Sequence, residues 1–132
     1  MFKKFVDDTC FKFHINLEQI EDKNCAFVIG HDHIQLGQFE DEELKVISFV
    51  HEIGHILSKW SFKRATNFNT LMIELDAWHE GLKFAAEECG LIFSDSAIKW
   101  AYGQACSYAG HDERERMSWK PERWLKTTVS AE

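Results

Sequence analysis

The stretch from Asp41 to Trp60 constrains the chain most. At about 100° per residue, Val46, Phe49, Val50, Ile53, Ile56, Leu57 and Trp60 fall on one apolar stripe, which predicts a helix that buries this stripe against a core. The acidic run Glu40 to Glu43 ahead of it suits a helix N-terminus, where carboxylates cap free amides and meet the positive end of the dipole. Nearly opposite the stripe stand His51 and His55, with Ser48 and Ser58 flanking them.

Histidines four apart leave one face of a helix together, so both can reach a single Zn²⁺. Together with Glu52 they spell H-E-x-x-H: His51, Glu52, Ile53, Gly54, His55. Glu52 projects one step round from His51, where it can take a proton from a water that the metal acidifies. No Lys or Arg lies three or four residues from Glu52, so an ordinary helical ion pair has no partner in the sequence.

A catalytic zinc takes three protein ligands and keeps one position for water, so a third ligand is expected, and the next helix can supply it. Thr70 to Cys89 has helical period and stops at Gly90. Asp76, Glu80, Lys83 and Glu87 share a polar arc of that helix. Glu74 points elsewhere, toward Ala77, Gly81 and Ala85, with Trp78 and Leu82 alongside. Small residues admit a close neighbour, and a carboxylate in the middle of such a face is costly unless paired or metal-bound. Glu74 is the expected third ligand, with Asp76 and Glu80 as alternatives should the helix be rotated.

Upstream, residues 11 to 39 read as extended. Phe11 to Ile15 alternates, Cys25 to Ile29 is a short apolar run, and His33 to Leu36 alternates again after a turn at Gly30 to His33. Downstream of a loop from Ser61 to Asn69 and the second helix, Ser94 opens a third helix that runs to about Ala109. Pro121 suits the first turn of a last short helix carrying Trp124 and Leu125. The expected fold class is therefore α+β: a small antiparallel sheet packed on three helices, with residues 1–132 forming one domain and the zinc lying between the first two helices.

Composition narrows the function. Lys and Arg total 15 against 22 for Asp and Glu, a net charge of -7, which argues against nucleic acid as a partner. No apolar run approaches the roughly 18 residues of a membrane span, and Asp7 and Asp8 interrupt the N-terminal stretch before an export signal could form. Cys10, Cys25, Cys89 and Cys106 include no close pair, which points to reduced, buried thiols and a cytoplasmic location. Donors for a developing oxyanion would come from Tyr102, Tyr108, His111 or Arg114, among which spacing does not choose.

His51 to His55 followed by Glu74-Leu75-Asp76-Ala77, 19 positions beyond His55, resembles the zincin metallopeptidases of the Glu-zincin type. Gly54 before the second histidine makes the chain similar to the small ImmA/IrrE-like peptidases in particular. The likeness spans about residues 25 to 90. It implies a zincin-like minimal metalloprotease fold, zinc as cofactor, and hydrolysis of a peptide bond in a specific protein target, which in that family is typically a DNA-binding repressor. It also implies a sheet edge that holds an extended peptide, a place that His33 to Phe39 could take. Trp78 stands where many Glu-zincins carry an Asp that orients a zinc-bound histidine. The alternative is a catalytically silent module that keeps the scaffold and acts by occupying a partner's surface.

Overall fold

The computed structural model describes residues 2–58 and 70–106, without the side chains of 70–72, 105 and 106. The expected loop from Ser61 to Asn69, the last helix near Pro121, and Trp60, Tyr108, His111 and Arg114 lie outside the described residues. Helix α1 (Phe2–Phe13) leads into strands β1 (Asn16–Lys23), β2 (Ala26–Ile29) and β3 (His33–Gln38), followed by helices α2 (Glu42–Leu57), α3 (Thr70–Cys89) and α4 (Asp95–Cys106). The α+β class is as expected, with two corrections. The described residues hold four helices, and the sheet is mixed.

Strand order is β1-β3-β2, with β1 parallel and β2 antiparallel to β3. The hairpin between β2 and β3 turns at Gly30, whose φ of 64° is cheap only for glycine. The parallel β1 ladder breaks between Gln19 and Lys23, where the Gln19 side-chain amide donates to the carbonyls of Leu36 and Gly37 at 2.8 and 2.9 Å. Because β3 is the central strand, His33 to Phe39 cannot be the peptide-holding edge. That edge is β2.

Phe11 to Ile15 is not a strand. The positions Phe2, Phe5, Val6, Thr9 and Phe13 recur at helical spacing, and Phe5 and Thr9 are buried. Phe5 meets Phe49 of α2 edge-on at 6.2 Å, and Phe13 meets Phe84 of α3 at 5.3 Å, so α1 is pinned across both helices. It ends at His14 in the left-handed region, φ 55°.

Helix α2 is the centre of the molecule. Its N-cap Asp41 accepts from the amides of Glu43 and Leu44, as the acidic run suggested. Every residue from Val46 to Gly54 is buried, more than a single apolar stripe would cover, because the sheet, α1, α3 and α4 all pack around it. Helix α3 closes at Gly90 (φ 65°), whose amide returns to the Ala86 carbonyl. Ser94 caps α4 by accepting from the Ala97 amide, and both its amide and its hydroxyl donate to Glu43 of α2. Among the described residues no helix is long and apolar enough to cross a membrane.

Candidate metal centre

Helices α2 and α3 touch backbone to backbone. A Cβ added at Gly54 would lie 2.6 Å from the carbonyl carbon of Ala77 and closer still to its oxygen, and one added at Gly81 would run into the Val50 carbonyl. This approach, made possible by small residues on both faces, carries Glu74 to the histidines. Glu74 is 3 % exposed. Its Oε2 lies 2.7 Å from His51 Nε2 and 3.3 Å from His55 Nε2. The residue expected from helix phase is thus the one that meets both imidazoles. Asp76 instead accepts a hydrogen bond from the Ser58 hydroxyl at the C-terminus of α2, and Glu80 is half-buried further along α3.

Electrostatics divide the two carboxylates. Burial pushes the Glu74 carboxyl up, but hydrogen bonds from His51 and His55, with their charge, outweigh it and hold the group down at about 2. Burial also lowers the proton affinity of His51 against the pull of Glu74, which describes a neutral imidazole donating to an ionised carboxylate. Glu52, 5 % exposed, is driven well above the ordinary carboxylate range by burial and then by the charge of Glu74. A hydrogen bond from the Val28 backbone amide opposes that rise. The amide is free to donate because the Gly37 N–H to Cys25 carbonyl bond fixes the ladder phase, leaving the amides of Ala26 and Val28 facing away from β3.

Donor atoms of His51, Glu52 and His55 lie within 4.8 Å of one another, so Glu52 could complete a three-ligand set, and Glu74, at 2.7 and 3.3 Å from the two histidines, could do so too. Glu74 fits better. It meets the same ring nitrogen, Nε2, of both histidines, whereas Glu52 Oε1 stands on the other side of His51, 3.6 Å from Nδ1. A tetrahedral zinc with bonds of about 2.0–2.1 Å separates neighbouring ligand atoms by about 3.3 Å. The His55 edge already has that length, and the His51 edge must open by about 0.6 Å. Two imidazoles and a carboxylate are a zinc-type donor set.

Trp78, one turn beyond Glu74, lies flat on His51, with ring centroids 4.1 Å apart and planes inclined by 3°. Stacking thus holds this ring where a hydrogen-bonded carboxylate would do so in many metal sites. Trp78 is 1 % exposed, yet among the described residues its Nε1–H meets no acceptor. A buried donor left unpaired costs about 1–3 kcal/mol. Spacing from Glu74 placed Trp78 near the site, but which face it offered to His51 had no sequence signal. The Val28 amide had none either, since ladder phase depends on the pairing partner.

A cleft of about 120 Å³ opens beside this group, walled by Asn24 to Phe27 of the β2 edge, by Ser48, His51 and Glu52 of α2, by Trp78, and by Trp100 and Gln104 of α4. Tyr102, the one expected oxyanion donor among the described residues, does not line it. Larger hollows lie elsewhere, including one of about 450 Å³ between α1, the sheet and the start of α2, and none of His51, Glu52, His55 and Glu74 lines that one. Of the cysteines, Cys10 and Cys25 are half-buried and Cys89 is exposed, all three free, so burial of these thiols is not observed.

No protein-family model matches this chain, and no curated protein or solved structure is similar to it. The function must be argued from the site's own chemistry.

Proposed function

We propose that the chain is a zinc-dependent metallopeptidase that cleaves a peptide bond in a specific protein target in the cytoplasm. One observation carries this reading: Nε2 of His51 and Nε2 of His55, from one helix, converge on a single carboxylate oxygen of Glu74 from another, with Glu52 buried beside them. His51, His55 and Glu74 would hold the metal, and the bound zinc supplies a Lewis acid that polarises a carbonyl and lowers the pKa of water. Glu52 is the base. Its carboxylate takes the proton of the attacking water and returns it to the departing amine, a task favoured by a proton affinity that burial and the Glu74 charge raise well above the ordinary carboxylate range.

The β2 edge beside the cleft supports a peptide substrate, because the outward amide and carbonyl of Ala26 can pair with an extended chain, while the Val28 amide is already given to Glu52. A cleft of about 120 Å³ selects few side chains by itself. The target therefore contributes recognition of its own, consistent with the DNA-binding repressors that the ImmA/IrrE-like resemblance implies. Among the described residues Cys10, Cys25 and Cys89 are in no disulfide, which fits a cytoplasmic setting.

Glu52→Gln tests this reading against the silent binding module. It keeps the size of the side chain but cannot accept the proton. Both proteins should carry about one zinc per chain by elemental analysis, while cleavage of a protein-derived peptide library, read by mass spectrometry, falls by about 10²- to 10⁴-fold in the variant. A wild-type chain that takes up no zinc refutes the metal site. Full cellular function in a zinc-loaded Glu52→Gln variant establishes the binding module instead.

A further inference from the structure

We infer that the indole N–H of Trp78, a donor buried beside the cleft with no partner among the described residues, is a ligand-binding donor that meets the carbonyl oxygen of the bond to be cut. This rests on the hydrolytic reading above and names the group that would meet the oxyanion. Among the described residues, only Thr9 Oγ1 and Trp78 Nε1 are buried side-chain polar atoms without a partner, and Thr9 sits on α1, away from the cleft. Trp78 lines the cleft with His51 and Glu52. Were it only filler between helices, its N–H would be a standing penalty that phenylalanine avoids.

Position strengthens the inference. Trp78 follows Glu74 by one helical turn and stacks on His51, so its plane is fixed against a proposed ligand. A donor held by packing on a rigid helix needs no reorganisation when charge develops on an oxygen, which is the condition for transition-state stabilisation. An indole N–H keeps its proton throughout the working pH range. It therefore donates without entering the proton traffic that Glu52 handles, and no bond to Trp78 forms or breaks.

The test uses acetohydroxamate as a carbonyl-bearing probe on the zinc-loaded full chain, with Trp78→Phe as the variant. Phenylalanine retains an aromatic face for His51 and removes the donor. Zinc per chain should stay near one, while affinity for acetohydroxamate falls by about 3- to 10-fold, the worth of one hydrogen bond. In the wild type, the Trp78 indole ¹H–¹⁵N resonance, assigned through its backbone, should shift as the probe saturates. Unchanged affinity in a zinc-loaded variant, or an indole resonance that stays still at saturation, overturns the proposal and leaves the metal site standing. Absence of zinc from the wild type defeats the hydrolytic reading itself. If Trp78→Phe does not fold, the wild-type resonance alone decides.

Discussion

Replacing Gly54 by alanine tests whether the α2–α3 approach builds the site. The added methyl carbon would stand 2.6 Å from the Ala77 carbonyl carbon and 3.0 Å from the Gly81 amide nitrogen. Ordinary contact between such atoms begins near 3.5 Å, and the Ala77 oxygen is nearer still, so the helices must part by more than about 1 Å. Both partners are backbone and cannot rotate away. Overpacking of this kind costs about 1–3 kcal/mol. The same movement draws Glu74 off two nitrogens that lie 2.7 and 3.3 Å away, while metal–ligand bonds tolerate only about 0.2 Å. Gly54→Ala should therefore lower the urea midpoint and weaken zinc affinity by at least about 10-fold. The control is Gly103→Ala in α4, where an added methyl meets nothing within 4 Å. Removing a helix-interior glycine there should stabilise the protein by about 0.5–1 kcal/mol and leave zinc binding alone. Urea denaturation and competitive zinc titration on both variants decide the matter. If Gly54→Ala matches wild type in both measurements, the helix approach is not what seats Glu74.

Glu74→Ala should weaken zinc affinity by more than about 100-fold, beyond the losses typical of groups that merely orient ligands. Glu80→Ala should leave it nearly unchanged, and equal effects in the same titration would mean that Glu74 is not a ligand. Ser94→Ala removes the hydroxyl that caps α4 and donates to Glu43 at 2.7 Å, so unfolding free energy in urea should drop by about 1 kcal/mol.

The parts legible in the sequence are those governed by local period and capping. Thr70–Cys89 matches the predicted helix end to end, Asp41 and Ser94 cap as expected, and Glu74 was placed by helix phase alone. Helix α1 was misread because Phe11, Phe13 and Ile15 alternate across its end, although Phe2, Phe5 and Thr9 carry the longer period. The stop at His14 also lacks the glycine that usually advertises one. Strand β1 was obscure for a different reason. Asn16–Lys23 is almost wholly exposed and polar, and it is a strand because β3 offers a ladder, a non-local cause. The same dependence hid the sheet's mixed polarity and the outward phase of β2, and with them the edge beside the site.

The glycine contacts at Gly54 and Gly81 give the cleft two walls of unequal stiffness. On one side, α2 and α3 are locked at van der Waals limit and cannot slide without collision. On the other, the wall is a four-residue strand bonded to the sheet along one side only. Under the proposed peptidase reading, an arriving chain would meet a fixed jaw that holds His51, His55 and Glu74 and a more compliant jaw at the strand. On the proposed reading, fit to the target would rest with the strand, so substitutions at Phe27, which lines the cleft, would retune selectivity while the chemistry stays put.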